Sequence, residues 1–305
     1  MLEAANTERG PIFIGGLAHS GKTLLRLMLA AHPDLVLSRR TYMWSRFYRR
    51  YSDLGRPNNY ERCLEAMLKQ KGIRALQPDA GRIRREFAQG PPTYGRLFAL
   101  FHEHHAQRLG KRRWGDQLGF VERFAAPIFA AYPSAKMIHM VRDPRDRCQT
   151  AMAVSRYRKG KVGWAIARWL YSARLARHNR ERYPGRYKVV RYEALIARPE
   201  ATLRDICDFL GEEFLPEMVD AATAGDAATS DDTHQNGRPF SARDVAFTQS
   251  YARRHLLAFD YPLQPTALSL SDRLLFYFVD WPANRAGMAA WNILNARSPV
   301  QHSRE

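Results

Sequence analysis

Three short apolar runs, each followed by a stretch with helical periodicity, stand out in the hydrophobic pattern of the chain. They lie at residues 12–14, 136–141 and 187–193. Short apolar runs bounded by turn residues are typical of strands that are buried on both faces of a parallel sheet. Because such strands alternate here with helical stretches, the pattern predicts an α/β fold in which helices flank both faces of a parallel sheet.

Capping residues mark the ends of the predicted helices. After the second run, Asp143 suits an N-cap and Pro144 the first helical position, since the N–H that proline lacks would be unpaired there. After the third run, Pro199 can open a helix and Gly211 can close it. Ligands of such sheets bind at the carboxyl ends of the strands, so the residues that follow the three runs are expected to share one rim.

The chain is interpreted as a single domain over residues 1–305. Residues 39 to about 107 are predicted to form a mostly helical insertion that is basic at its start. Residues 221–237 are polar and small, which indicates a loop. The C-terminal segment, about 266–305, contains the aromatic stretch FYFVDWP and is expected to be a docking segment or a C-terminal helix.

The charge of the chain is strongly positive. Its 48 lysine and arginine residues exceed its 30 aspartate and glutamate residues, which gives a net charge of +18. Such a protein attracts anions, which include nucleic acid, an anionic membrane face, an acidic substrate and a polyphosphorylated cofactor. No familiar nucleic-acid recognition motif accompanies the charge, so nucleic acid is not the expected partner.

Cysteine usage and hydropathy bear on the compartment. Cys63, Cys148 and Cys207 are widely spaced and provide neither a disulfide framework nor a zinc spacing, which favours a reducing compartment. No signal peptide is visible at the N-terminus, and no apolar run reaches the length of a membrane span. We therefore expect a cytoplasmic protein, with peripheral membrane contact as a further option.

The first apolar run leads into GGLAHSGKTLL, which fits the phosphate-binding pattern G-x-x-x-x-G-K-[ST]. A strand that turns through small residues into a helix presents backbone N–H groups and a positive helix end to an anion. Lys22 adds a charge, and Ser20 and Thr23 add hydroxyl donors. This P-loop-like cradle is predicted to bind phosphate or sulfate. Its sequence alone does not distinguish a nucleoside triphosphate from another donor as the ligand.

The second run ends in Arg142, whereas an NTPase would normally place an aspartate for Mg²⁺ at such a strand end. Thr150 follows two helical turns later, on the face that it shares with Asp143, Asp146 and Arg147. An arginine at a strand end and a hydroxyl on the following helix make a second anion clamp. Two separate clamps indicate a donor with two separate phosphate groups, and a P-loop nucleotide kinase or NTPase is the alternative.

With these motifs in this order, the chain resembles the PAPS-dependent sulfotransferases, in particular the tyrosylprotein sulfotransferase-like and bacterial ones. The resemblance covers roughly residues 11–35, 112–155 and 187–215. It implies transfer of a sulfuryl group from 3′-phosphoadenosine 5′-phosphosulfate (PAPS) to a hydroxyl or amine acceptor, with release of 3′,5′-ADP (PAP) and with no metal. The three blocks resemble the 5′-phosphosulfate loop, the 3′-phosphate motif and a block whose tyrosine lies near the adenine.

The resemblance also implies roles for individual residues. The implied cofactor-binding residues are His19, Ser20, Gly21, Lys22, Thr23, Leu24, Arg142, Thr150, Tyr192 and Arg238. Of the implied catalytic residues, Lys22 would neutralise charge on the bridging oxygen. Asp116 is the first candidate for the general base, because WGD is expected on the rim beside the cofactor, and His19 is the second.

Several positions depart from the family pattern. His19 stands where arginine or lysine is usual, Lys22 where threonine or serine is usual, and Gln117 where a lysine is common. Relatives of the tyrosylprotein type carry a glutamate base where this chain has the sequence SRRT at residues 38–41. These departures keep a non-catalytic homologue that only binds PAPS or PAP as a further alternative.

The basic start of the insertion is predicted to select the acceptor. Between residues 39 and 56, arginines alternate with aromatic residues, which favours an acidic small molecule, glycan, lipid or peptide, or a membrane surface. The aromatic residues are Tyr42, Trp44, Phe47, Tyr48 and Tyr51.

Other conspicuous side chains receive structural interpretations. His102, His104 and His105 are predicted to lie on a solvated helix face, since no acidic or cysteine partners complete a metal site. Trp164, Trp169 and Tyr171 are predicted to belong to the core.

Overall fold

The computed structural model describes residues 9–154, 161–226 and 240–296. The strands are β1 Ile12–Gly16, β2 Leu35–Arg39, β3 Arg113–Gln117, β4 Lys136–Val141 and β5 Tyr187–Arg191. The α-helices are α1 Lys22–Ala30, α2 Pro57–Lys69, α3 Lys71–Arg74, α4 Ala80–Ala88, α5 Tyr94–Arg108, α6 Ala125–Ala131, α7 Pro144–Val154, α8 Lys161–Arg182, α9 Tyr192–Ala197, α10 Pro199–Leu210, α11 Glu217–Asp226, α12 Ala242–Ala258, α13 Leu270–Leu275 and α14 Trp281–Ala296. Short π-helical turns cover Met43–Phe47 and Phe276–Asp280, and a 3₁₀ turn covers Val121–Phe124.

The strands form one parallel sheet in the order β2-β3-β1-β4-β5. The α/β prediction is thereby confirmed. Strands β1, β4 and β5 correspond to the three apolar runs, whereas β2 and β3 were not predicted. The missed β3 has the sequence RWGDQ, in which glycine and charged residues hide the strand from a hydrophobicity pattern.

Successive strand residues face opposite layers of the protein, as a doubly covered sheet requires. On one face, Ile12 and Ile14 pack with α1 and α10. On the other, Phe13 packs with the helices of the insertion. Helix α10 begins at Pro199 and its C-cap is Gly211, which has a positive φ of 72°, so both predicted helix ends are confirmed.

The segment between β2 and β3 is mainly helical, as predicted, and it forms one layer of the core. The predicted solvated histidine face is wrong, because His102 and His104 are buried. The His102 ring stacks on Trp114 with 4.4 Å between ring centroids, and His104 Nε2 lies 2.7 Å from Glu86 Oε2. Burial lowers the pKa of His102 to about 3, so this imidazole is neutral.

The aromatic residues at the start of the insertion also belong to this core layer. Trp44 and Phe47 are buried, and Tyr42, Tyr48 and Tyr51 pack against the same cluster while half-buried. The rings of this segment therefore contribute to the core of the protein.

The C-terminal helices pack on α8 and α12. Their shared core includes Trp169, Phe247 and Phe276, and Tyr171 contacts Trp291 with 5.5 Å between ring centroids. Helix α11 extends to Asp226, so residues 221–226 are helical and not part of the loop predicted for 221–237. None of the described helices has the length and apolarity needed to cross a membrane.

The contact between α8 and α14 depends on a glycine. A Cβ added at Gly163 would lie 1.8 Å from the carbonyl oxygen of Asn284, whose side-chain Oδ1 accepts a hydrogen bond from Gly163 N at 3.0 Å. We expect Gly163→Ala to lower the free energy of unfolding by about 1–3 kcal/mol, because α14 must move away. Chemical denaturation measures this change.

Gly81→Ala is the matched control, since Gly81 also lies in a first helical turn. Its added Cβ meets only flexible side chains of Asp79 and Arg85. This control should be neutral or stabilise the protein by up to about 1 kcal/mol. Equal stability of the two variants would contradict the close packing of α14 on α8.

Candidate active site

A glycine-rich loop joins β1 to α1 at the carboxyl edge of the sheet. Gly16 and Gly21 have φ values of 113° and 84°, which glycine adopts without strain. Gly21 is the N-cap of α1, so the first N–H groups of that helix open onto the loop. His19 also has a positive φ, 62°, and is half-buried. The loop therefore has the backbone geometry of the predicted anion cradle.

Buried polar contacts hold the loop in place. The carboxylate of Glu122 is fully buried, and its Oε2 accepts a hydrogen bond from Gly16 N at 2.9 Å. Ser20 Oγ donates to the carbonyl of Leu17 at 2.8 Å, and the Lys22 ammonium donates to that same carbonyl. Ser20 and Lys22 are thus buried inside the turn, whereas Leu24 belongs to the hydrophobic core and offers the loop only its backbone.

Arg142 and Tyr192 lie against one side of the loop. The Arg142 guanidinium stacks over the Tyr192 ring at 4.4 Å and donates to the carbonyl of His19 at 3.2 Å. A Cβ added at Gly21 would lie 2.3 Å from Tyr192 Cδ2, so only glycine leaves room for this ring. The structure therefore brings together the ends of β1, β4 and β5, as the sequence predicted.

The position of Arg142 is fixed by the neighbouring helices. Trp169 Nε1 donates to the Arg142 carbonyl at 2.9 Å. Arg147, one turn along α7, donates to the carbonyls of Ala18 and Ala165 at 3.3 Å each. Within the described residues, the buried Nε atoms of both Arg142 and Arg147 lack a hydrogen-bond partner. Two guanidinium groups beside the loop are consequently incompletely satisfied.

Thr150, Asp143 and Arg238 were also predicted to lie in this region or to cap its helix. Thr150 is buried on α7, and its hydroxyl donates to the carbonyl of Asp146 at 3.1 Å. Asp143 Oδ1 accepts from Arg145 N at 2.9 Å, which confirms it as the cap of α7. Arg238 lies outside the described residues.

A cleft of about 350 Å³ opens on the loop. The loop contributes Ala18, His19, Gly21, Lys22 and Thr23, and residues 117–120 after β3 contribute another wall. Four further residues complete the lining: Arg39 at the end of β2, Arg40 and Tyr42 after it, and Arg168 of α8. Burial, together with the charge of Arg147, lowers the pKa of Arg168. The cleft is therefore strongly cationic.

Asp116 does not lie on the rim where it was expected. It lies within β3 beside Phe13 of β1, three residues before Gly16, and it is absent from the cleft lining. Its Oδ2 accepts a hydrogen bond from Thr41 Oγ1 at 2.5 Å, and its buried Oδ1 has no partner among the described residues. Burial raises the pKa of Asp116 to about 6. Thr41 lies between Arg40 and Tyr42, so this carboxyl group positions the turn that lines the cleft.

Three site residues were missed from the sequence. Arg147 was identified only as a member of one helix face, without a role. Arg168 lies in α8, which contains several arginines, and no sequence pattern distinguishes it from the others. Glu122 follows a turn, and no local pattern connects it with Gly16, 106 residues away. These residues reach the loop through tertiary packing alone.

Comparison with known proteins shows the family. A family model described as "Sulfotransferase family" matches residues 11–216. The chain belongs to this sulfotransferase family. Its reaction is therefore sulfuryl transfer to an acceptor, and this membership favours a sulfotransferase over the NTPase alternative.

Curated relatives are consistent with this membership. A putative protein-tyrosine sulfotransferase from Caenorhabditis briggsae is 24% identical over 213 residues, which cover 68% of the sulfotransferase described here and 68% of the relative. A protein-tyrosine sulfotransferase from Drosophila melanogaster is 26% identical over 215 residues, which cover 67% of this chain but only 38% of the fly protein.

The chain is also similar to two solved sulfotransferase structures. The sulfotransferase domain of the olefin synthase from Synechococcus PCC 7002 has a TM-score of 0.49 and 23% identity, covering 88% of this chain and 94% of that one. Sulfotransferase STF9 from Mycobacterium avium has a TM-score of 0.47 and 14% identity, covering 86% and 79%.

Asp143, the carboxylate that follows β4, is hydrogen-bonded to a neighbouring side chain of the sulfotransferase. Arg145 donates to both oxygens of Asp143, from Nε to Oδ1 at 2.9 Å and from Nη2 to Oδ2 at 2.5 Å. An aspartate held in this bidentate pair and in a helix cap is a poor magnesium ligand.

The buried Asp116 makes a prediction about stability and pH. Its pKa is raised in the folded state from an ordinary 3.8 to about 6, so the folded protein keeps a proton that the unfolded chain releases. The contribution of Asp116 to stability is thus fully present below about pH 3.8, the pKa of this group in the unfolded chain. It is lost as the pH rises through about 6, its pKa in the folded protein. Relative to Asp116→Asn, the wild-type free energy of unfolding should fall by up to about 3 kcal/mol between about pH 4 and pH 7.

Denaturant titrations at a series of pH values measure the free energy of unfolding of the wild type and of Asp116→Asn. The difference between the two proteins isolates Asp116, because all other titrating groups are common to both. A difference that stays constant over the whole range would contradict the raised pKa of Asp116.

Proposed function

We propose that this sulfotransferase uses PAPS as its donor and transfers the sulfuryl group to an acceptor that enters the cationic cleft. The observation that carries the proposal is the pair formed by the half-buried Arg142 and the buried Arg147, whose buried Nε atoms lack partners in the described part of the chain beside the glycine loop. Cations and N–H donors converge there, as an anionic ligand requires. When bound, the donor supplies the sulfuryl group and leaves as PAP.

We assign two anion sites to the chain. The loop from His19 to Thr23 and the start of α1 would hold the 5′-phosphosulfate, with Lys22 as the main charge. Arg142 would hold the 3′-phosphate, with Thr150 as a hydroxyl donor once its bond to Asp146 is released. Tyr192, which stacks under Arg142 and against Gly21, offers a flat surface to the adenine. Arg238 completes the proposed set.

The proton of the acceptor needs a base, and His19 is the better candidate. His19 lines the cleft, whereas Asp116 is buried beneath it and bonded to Thr41. We therefore propose His19 as the general base and Asp116 as a positioning residue for the turn that carries Arg40 and Tyr42. Lys22 and the loop N–H groups would stabilise the charge that develops on the leaving oxygen.

The acceptor is proposed to be a hydroxyl compound with an acidic group. Arg39, Arg40 and Arg168 surround the cleft opposite the loop and would attract such a group. The relatives named protein-tyrosine sulfotransferases support a hydroxyl as the attacking group. Free, buried thiols at Cys63, Cys148 and Cys207 support a reducing compartment such as the cytoplasm.

Donor recognition predicts selectivity for a 3′-phosphate. PAP should raise the thermal stability of the protein far more than 5′-ADP or ATP at equal concentration, with no requirement for Mg²⁺, because a ligand stabilises the state that binds it. Lys22→Ala and Arg142→Ala should each weaken PAP binding by about 10- to 100-fold, since each removes a charged hydrogen-bond donor. Arg142→Ala should also abolish the preference for PAP over 5′-ADP.

Arg112→Ala is the matched control, because this exposed arginine pairs with Asp34 far from the loop and should not affect PAP binding. Stabilisation by ATP or GTP that depends on Mg²⁺ would overturn the proposed donor. Unchanged PAP selectivity in Arg142→Ala would overturn the assignment of the 3′-phosphate site.

The two candidate bases are separated by their variants. We expect His19→Gln to slow sulfuryl transfer by about 10²–10⁴-fold while PAP binding stays within a few-fold of wild type. Asp116→Asn keeps an oxygen for Thr41 and should lower the transfer rate only a few-fold. Transfer of ³⁵S from labelled PAPS to a panel of phenols, acidic glycans and tyrosine peptides measures both.

The reverse result, in which Asp116→Asn abolishes transfer and His19→Gln does not, would assign the base to Asp116. Failure of the wild type to transfer sulfur to the whole panel, despite tight PAP binding, would favour a homologue that binds the donor without catalysis.

A further inference from the structure

The C-terminal helices form a nearly continuous rod that has two apolar sides. Residues 270–296, here called the C-terminal rod, run through α13, the π-helical turn and α14 without a break, over on the order of 40 Å. One side faces the protein, where Phe276, Asn284 and Trp291 are buried. This side accounts for the packing of the rod on α8.

The opposite side of the rod is also apolar, and it is exposed. Leu270 is 80% exposed, Leu274 61% and Phe278 77%, at the four-residue spacing of one helix face. The exposed stripe continues through Pro282, Ala286, Ala289 and Ala290 to Ile293 and Leu294. A helix that is apolar on both sides is expected to be covered on both sides, so this outer stripe calls for an apolar neighbour.

The charges around the stripe are positive. The acidic residues of the rod, Asp272 and Asp280, both pair with Arg243 of α12, at 3.3 and 3.0 Å, and are not fully exposed. Arg273 and Arg285, by contrast, are exposed. The outer side of the rod thus combines apolar side chains with arginine cations and keeps its carboxylates turned toward the protein.

The neighbouring surface of α8 continues this positive charge. A groove between α8 and α14 is lined by Arg174 and His178 on one wall and by Trp291 and Asn295 on the other. Arg174 and His178 are exposed. An apolar stripe bordered by cations is typical of a helix that lies in the plane of a membrane surface.

We propose that the C-terminal rod lies on an anionic lipid surface, with Leu270, Leu274 and Phe278 among the lipid chains and with Arg273 and Arg285 at the lipid phosphates. This inference is independent of the proposed donor and acceptor. The net charge favours an anionic membrane over a second copy of the chain as the neighbour of the exposed stripe. Two copies of a chain with a net charge of +18 repel one another, while an anionic membrane attracts each copy. In a symmetric dimer through this face, the same arginines would meet their own equivalents.

Vesicle co-sedimentation of the full chain tests the proposal. The protein should bind vesicles of equal parts phosphatidylcholine and phosphatidylglycerol, and should stay in the supernatant with phosphatidylcholine alone. Leu274→Ser with Phe278→Ser should weaken binding by at least about tenfold, since two apolar side chains are lost from the lipid. Arg273→Gln with Arg285→Gln should weaken it by about fivefold per arginine and reduce its salt dependence.

The matched control is Leu109→Ser with Ile196→Ser, two comparably exposed apolar residues outside the rod. It should bind the anionic vesicles as the wild type does. Circular dichroism and the midpoint of chemical denaturation show whether each variant is folded, so that loss of binding cannot be confused with unfolding.

Three results would overturn the proposal. In one, the wild type does not bind the anionic vesicles. In another, the Leu274→Ser, Phe278→Ser variant binds them as well as the wild type. In the third, analytical ultracentrifugation of the wild type shows a dimer that this variant abolishes, which would assign the stripe to a second copy of the chain.

Discussion

The parallel pairing of β1 with β4 determines the architecture of the site. Gly16 lies beside Met140 in this register, so the loop after β1 and Arg142 after β4 start from neighbouring points of the same edge. The chain leaves β1 toward one side of the sheet and β4 toward the other, which opens a crevice between the two connections. The contact of Arg142 with the carbonyl of His19 depends on this adjacency.

The fold was predictable where burial leaves a simple hydrophobic signature. Strands β1 and β4 are apolar because they are buried in the middle of the sheet, and α10 has a proline at its start and a glycine as its C-cap. The β3 strand was not predictable, since Arg113, Gly115 and Asp116 contribute tertiary contacts and not hydrophobic periodicity. Arg113 is buried in an ion pair with Glu212, a partner 99 residues away that no local pattern reveals.

The candidate site was predictable to the extent that it is built from contiguous motifs. The loop, Arg142 and Tyr192 are each next to a strand end, so their positions follow from the strand order. Glu122 and Arg168 come from other elements and reach the loop only through packing. Asp116 shows the opposite failure: its motif was recognised, but the register of β3 places its carboxyl group beneath the rim, next to Phe13.

The surroundings of the loop explain why a sequence that matches an NTPase motif occurs in a sulfotransferase. Phosphate cradles depend on backbone N–H groups and a helix end, which do not distinguish one anionic donor from another. The difference arises at the neighbouring strand end, where a metal-dependent enzyme needs a carboxylate open to solvent. Here Asp143 is paired with Arg145 and caps α7, while the buried Nε atoms of Arg142 and Arg147 have no partner among the described residues. In the proposed donor site, cations of the chain itself would take the place that Mg²⁺ has in a kinase and would supply the charge that the donor needs.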